Sequence, residues 1–165
     1  MKLCELYNSF DQIITRSFAL IGISALRMSL AVVFLWFGAL KFFPGLSSAE
    51  TLAIETTRVL SLGLMPDRIA ILMVASLETI IGLGLLFGIA LRATLFLLAV
   101  QMIGTLAPLV LFPDLTFASF PFVPTLEGQY ILKNAVIISA ALVVGATVRG
   151  GGLVPERASL RPSTI

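Results

Sequence analysis

Apolar residues in this chain collect into four long runs, rather than alternating as in a half-buried strand or keeping to one stripe of a surface helix. Crossing ~30 Å of hydrocarbon takes ~20 mainly apolar residues at ~1.5 Å each. Residues 18–40, 69–90, 93–112 and 131–148 meet that length. The pattern predicts an all-α membrane protein: one domain, a four-transmembrane-helix antiparallel bundle, and a tail at 149–165. Only Leu91 and Arg92 separate the second and third runs, so those helices must be antiparallel neighbours. Before the first run, residues 6–18 mix apolar with polar positions, which predicts a short interfacial helix leading into the bilayer.

Two longer connections join the remaining runs. The first carries Ser47-x-x-Glu50, the spacing of a capping box, followed by Leu52, Ile54, Val59 and Leu60 among Glu55, Thr56 and Arg58. A short amphipathic helix on the outer face is expected there, an ordered loop being the plainer alternative. The second, 113–128, holds Pro113, Pro121 and Pro124 among Phe117, Phe120 and Phe122. Its prolines oppose a regular helix, and its aromatics suit the headgroup layer or a lid over the bundle mouth.

Composition agrees with the pattern: 58% of residues are hydrophobic and 12% charged, against about 25% charged in ordinary soluble domains. Lys2, Glu5, Asp11 and Arg16 precede the first run and no small-x-small site follows it, so this run is expected to stay in the protein as a span. Lys2, Arg16, Arg92, Arg149, Arg157 and Arg161 fall on one side of the spans, and Lys41, Arg58, Arg68 and Lys133 on the other. The excess places both termini in the cytoplasm. A net charge of +2 gives no reason to invoke nucleic acid. The single cysteine, Cys4, excludes an internal disulfide or Cys-x-x-Cys pair, and the absence of histidine removes the usual haem, zinc and copper ligands. No catalytic residue, metal ligand or covalent cofactor is assigned. Ser/His and Cys/His catalytic pairs are likewise excluded.

A few polar residues interrupt the runs, and groups of this kind inside a membrane mark candidate sites. Arg27, Ala31, Phe34, Gly38 and Lys41 recur at the spacing of one helical face, so both cations share a stripe with two small residues. Counted from the outer ends, Arg27 lies roughly 20 Å deep and Glu78 and Gln101 roughly 15 Å deep. Arg27 is therefore expected to neutralise Glu78 in a cluster with Gln101 near the bilayer middle. Gly38 and Gly82 would leave space above it. Lys41, Lys133 and Asn134 would form a cationic outer rim able to attract a carboxylate, a phosphate or a quinone carbonyl. The alternative is that each lysine snorkels to the interface and that the buried pair only fixes helix packing.

The run from Leu26 to Pro44, Leu-Arg-Met-Ser-Leu-Ala-Val-Val-Phe-Leu-Trp-Phe-Gly-Ala-Leu-Lys-Phe-Phe-Pro, resembles the small DoxX-like membrane proteins. Leu77-Glu-Thr-Ile-Ile-Gly-Leu, Thr105-Leu-Ala-Pro-Leu-Val110 and Glu127-Gly-Gln-Tyr-Ile-Leu-Lys-Asn134 follow in the same order. The likeness is nearest to the RclC/YkgB-type branch, although the connection after Pro44 is shorter than in that branch and lacks its Tyr-Glu-Ala sequence. The resemblance implies a four-helix inner-membrane protein linked to thiosulfate:quinone oxidoreductase subunits and to oxidative stress. Its family-like positions are Arg27, Gly38, Lys41, Glu78, Gly82 and Lys133.

Three functional expectations follow. The first is an accessory subunit that binds a quinone or lipid-like amphiphile through Arg27, Gly38, Lys41, Glu78, Gln101, Lys133 and Asn134, serving a redox-enzyme partner. The second is a solute or proton permeation unit, more plausible as a homo-oligomer. The third is a structural membrane subunit. A self-contained enzyme ranks below all three, because one carboxylate and an arginine cannot readily assemble acid/base chemistry.

Overall fold

A computed structural model describes residues 2–151. Its order is α1 (Lys2–Leu40), α2 (Glu50–Leu60), α3 (Asp67–Phe87), α4 (Leu91–Leu106), α5 (Pro108–Leu111), α6 (Pro113–Thr116), β1 (Phe117–Ser119), β2 (Val123–Pro124), α7 (Leu126–Leu132) and α8 (Asn134–Thr147). Four stretches are long and apolar enough to span a membrane: Ile13–Leu40, Asp67–Phe87, Leu91–Leu111 and Leu126–Thr147. At most 33% of any of these windows is buried inside the bundle, so side chains such as Phe18, Trp36, Phe87 and Phe96 need hydrocarbon around them. The protein is a multi-pass membrane protein built as the expected four-helix bundle.

Several boundaries differ from the sequence reading. The separate interfacial helix at 6–18 is absent: α1 runs unbroken from Lys2, since no proline precedes Pro44 to stop it. The turn after α3 comes three residues early, at 88–90. Gly88 adopts the left-handed conformation (φ 70°), and its N–H and that of Ile89 both donate to the Gly84 carbonyl, closing the helix with a glycine cap. The third span breaks at Ala107, because Pro108 has no N–H to return to the preceding turn. The fourth comprises α7 and α8 joined at Lys133. Most of the tail expected at 149–165 lies outside the described residues.

The first outer connection forms the amphipathic helix α2, but not through the predicted cap. The Glu50 carboxylate accepts a 2.7 Å bond from the Gly45 N–H, and Ser47 contributes its backbone carbonyl to Glu50 N. Two bonds of 2.8 and 2.7 Å from Arg58 to Asp67 fasten α2 to the start of α3. Asp67, and then Glu55, hold the Arg58 guanidinium above its ordinary pKa. In the second connection the prolines leave room for a β1/β2 hairpin that the sequence reading did not anticipate. Thr125 ties it down, donating from N to the Thr116 carbonyl (2.9 Å) and from Oγ1 to that of Leu115 (2.7 Å). A Cβ at Gly128 would overlap the Thr116 carbonyl, which requires glycine there.

The bundle core joins Leu30, Ala31 and Phe34 of α1 to Ile81 and Leu85 of α3, Leu98 and Met102 of α4, and Ala140 and Val144 of α8. The α1/α3 contact is the most extensive, and it is close. A Cβ on Gly82 would stand 2.7 Å from Leu35 Cγ, and one on Gly38 would stand 3.0 Å from Glu78 Cβ and Thr79 N. Without a hydrophobic drive between helices in lipid, such close approach is what gives the pair its van der Waals adhesion.

Candidate functional site

The inward stripe on α1 sets the site. Ala31, Phe34, Gly38 and Lys41 are all buried, and helix geometry places them on the same face. Lys41 occupies the turn that ends α1, its backbone N–H donating to the Gly38 carbonyl at 3.2 Å. From there its ammonium points back into the bundle and meets Glu78 Oε2 at 2.6 Å. Gln101 of α4 donates from Nε2 to the other carboxylate oxygen at 3.0 Å. The Lys41 and Glu78 side chains are only 7% and 12% exposed, so the pair is largely removed from solvent and from lipid headgroups. A longer contact of 3.4 Å from Lys41 Nζ to the Phe37 carbonyl completes its surroundings. Thr105 donates to the Gln101 backbone carbonyl at 2.9 Å, tightening α4 just below Pro108.

This corrects the expected pairing of Arg27 with Glu78. The outer ends of α1 and α3 do not lie in one plane. Gly38 meets Glu78 and Leu35 meets Gly82, so the antiparallel register carries α3 roughly 12 Å beyond the level of Lys41. Arg27 then falls beside the far end of α3. Its Nη1 donates to the carbonyls of Leu85 and of Leu86, the latter at 3.0 Å. Carbonyls of a last helical turn have no partner within the helix, and a cation there also meets the negative end of the helix dipole. With Gly84 served by the turn itself, Arg27 acts as the cap of α3.

The remaining predicted residues separate. Lys133 is exposed, its ammonium 5.1 Å from the centroid of the Tyr130 ring, and Asn134 opens α8 half-buried. Lys41 is instead buried with its ammonium turned to Glu78, while the Lys133 ammonium stands exposed beside Tyr130, so the two lysines do not share one set of surroundings. The space expected between Gly38 and Gly82 is filled by the close approach of α1 and α3. An apolar groove of about 350 Å³ lies instead on the outer side of α1, lined by Val32, Leu35, Trp36, Ala39 and Leu40. Sequence reasoning missed the Lys41–Glu78 bond although both residues were singled out. The usable signal was the pair of glycines, whose contacts fix the register.

The DoxX family model matches residues 22–112, which include α1 from Gly22, all of α3 and α4, and hence Arg27, Lys41, Glu78 and Gln101. The chain belongs to the DoxX family. No curated protein and no solved structure matches it. The DoxX match thus covers the three helices that build the buried cluster and stops before α7 and α8. Among the described residues no group of His, Cys, Asp or Glu is placed to hold a metal ion.

Proposed function

We propose that this DoxX-family membrane protein binds a quinone or similar amphiphile at the Lys41–Glu78–Gln101 cluster and serves a redox-enzyme partner as an accessory subunit. The observation that carries this reading is the buried, charge-compensated network itself. An ion pair taken out of water seldom adds net stability over a well-packed apolar pair, so its presence in an apolar bundle needs another reason. The cluster also keeps hydrogen-bonding capacity: the ammonium has three donors and is given one short bond and one long contact. Gln101 contributes one N–H to Glu78 and retains its side-chain carbonyl as an acceptor. A ligand carbonyl and hydroxyl would match those groups.

In this reading both termini lie in the cytoplasm of a bacterial inner membrane, the cluster faces the outer half of the bilayer, and the partner's electron transfer relates to oxidative stress, as in the RclC/YkgB-type branch. Mass spectrometry of protein extracted gently from its own membrane tests the proposal. Wild-type protein should carry a quinone or an apolar lipid, and Gln101→Leu should reduce its retention. Protein that carries none, and takes up none when ubiquinone or menaquinone is added back, would overturn it.

A further inference from the structure

A second feature lies at the opposite end of the bundle, about 21 Å along α1 from Lys41 at the level of Arg27. Helices α4 and α8 pack against each other, and a Cβ on Gly145 would stand 3.5 Å from Leu95 Cδ1. They run antiparallel, so four residues beyond Gly145 and four before Leu95 bring Arg149 level with the first turn of α4, where Arg92 sits. Both arginines are exposed. Arg92 and Phe96 lie one turn apart on α4, Leu142 and Ala146 share an exposed face of α8, and Arg149 follows in the turn just past the end of α8. Phe96 and Leu142 are 68% and 70% exposed.

We infer that Arg92 and Arg149 form a clamp for the phosphodiester of an anionic phospholipid, whose acyl chains lie over Phe96 and Leu142. Packed helices stand ~8–10 Å apart, within reach of two arginine side chains converging on one phosphate, and a guanidinium presents paired donors that match phosphate oxygens. Arg27 adds a third positive charge at the neighbouring 88–90 turn, where it stands 3.6 Å from the position a Gly88 Cβ would take. Among the described residues the carboxylate nearest to Arg27 along α1 is Asp11, roughly 24 Å away. Two guanidinium groups on one phosphate leave surplus positive charge. That surplus favours a headgroup without an ammonium and disfavours phosphatidylcholine.

The test is native mass spectrometry of the full chain in mild detergent, with equal amounts of phosphatidylglycerol and phosphatidylcholine. Wild-type protein is expected to hold phosphatidylglycerol by about tenfold over phosphatidylcholine, and R92Q/R149Q to bring the ratio near one with its helical circular dichroism unchanged. Inorganic phosphate added in excess is expected to leave the bound lipid in place. Equal retention of the two lipids by wild-type protein, or an unchanged ratio in the variant, overturns the clamp. Displacement by inorganic phosphate overturns the lipid assignment in favour of a free-anion site. Should the double variant fail to fold, R92Q and R149Q taken singly carry the same expectation, each lowering the ratio by about threefold or more.

Discussion

The ammonium of Lys41 and the carboxylate of Glu78 meet at 2.6 Å across the contact of α1 with α3, where Gly38 lets the two helices touch. A residue at the end of one span thus neutralises a charge in the middle of another. Three consequences concern stability and one concerns ligand binding.

Removing one member of the pair strands the other in an apolar bundle. Lys41→Met or Glu78→Leu alone is expected to cost about 3–5 kcal/mol, whereas the double variant K41M/E78L should recover most of that loss. Thermal unfolding in detergent checks this. Additive losses in the double variant would show that the two side chains are not coupled.

Gly82→Leu and Gly38→Ala act through space rather than charge. A side chain at 82 would run into Leu35, and a Cβ at 38 would press to 3.0 Å of Glu78 Cβ and Thr79 N; an overpacked contact costs about 1–3 kcal/mol. Gly38→Ala should also separate Lys41 from Glu78. Crosslinking between cysteines introduced on α1 and α3 would report the widened spacing, and unchanged efficiency would contradict the register described.

How much of this was legible in the sequence depends on the kind of signal. The four spans and helix α2 follow from hydrophobic period and length, which a single helix displays in its own residues. The inward stripe from Arg27 to Lys41 was legible for the same reason. Partner choice was not: it depends on how far α1 and α3 slide past each other. Counting inward from the two outer ends assumed that they were level, while Gly38 and Gly82 place α3 about two turns further out. The hairpin between Phe117 and Pro124 gave little period because its strands have only 3 and 2 residues.

Arg27 offers a separate check on that register. As the cap of α3 it bonds only to backbone carbonyls among the described residues, so Arg27→Gln should destabilise the protein by about 1–3 kcal/mol. Hydrogen exchange should quicken at the α3 end near Leu85 and Leu86 and stay unchanged around Glu78. Loss of protection centred on Glu78 would restore the Arg27–Glu78 pairing.

The most direct measurement of the central claim is amphiphile binding by the folded double variant K41M/E78L, set beside wild type. With the charges removed together the bundle keeps its packing, so any loss of binding reports on the cluster's chemistry. The account predicts that wild-type protein retains a quinone or apolar lipid, and that the double variant keeps its helical content but loses that ligand by at least about tenfold, the worth of one charged hydrogen bond. Equal retention by both proteins would contradict it and leave Lys41 and Glu78 as a packing lock.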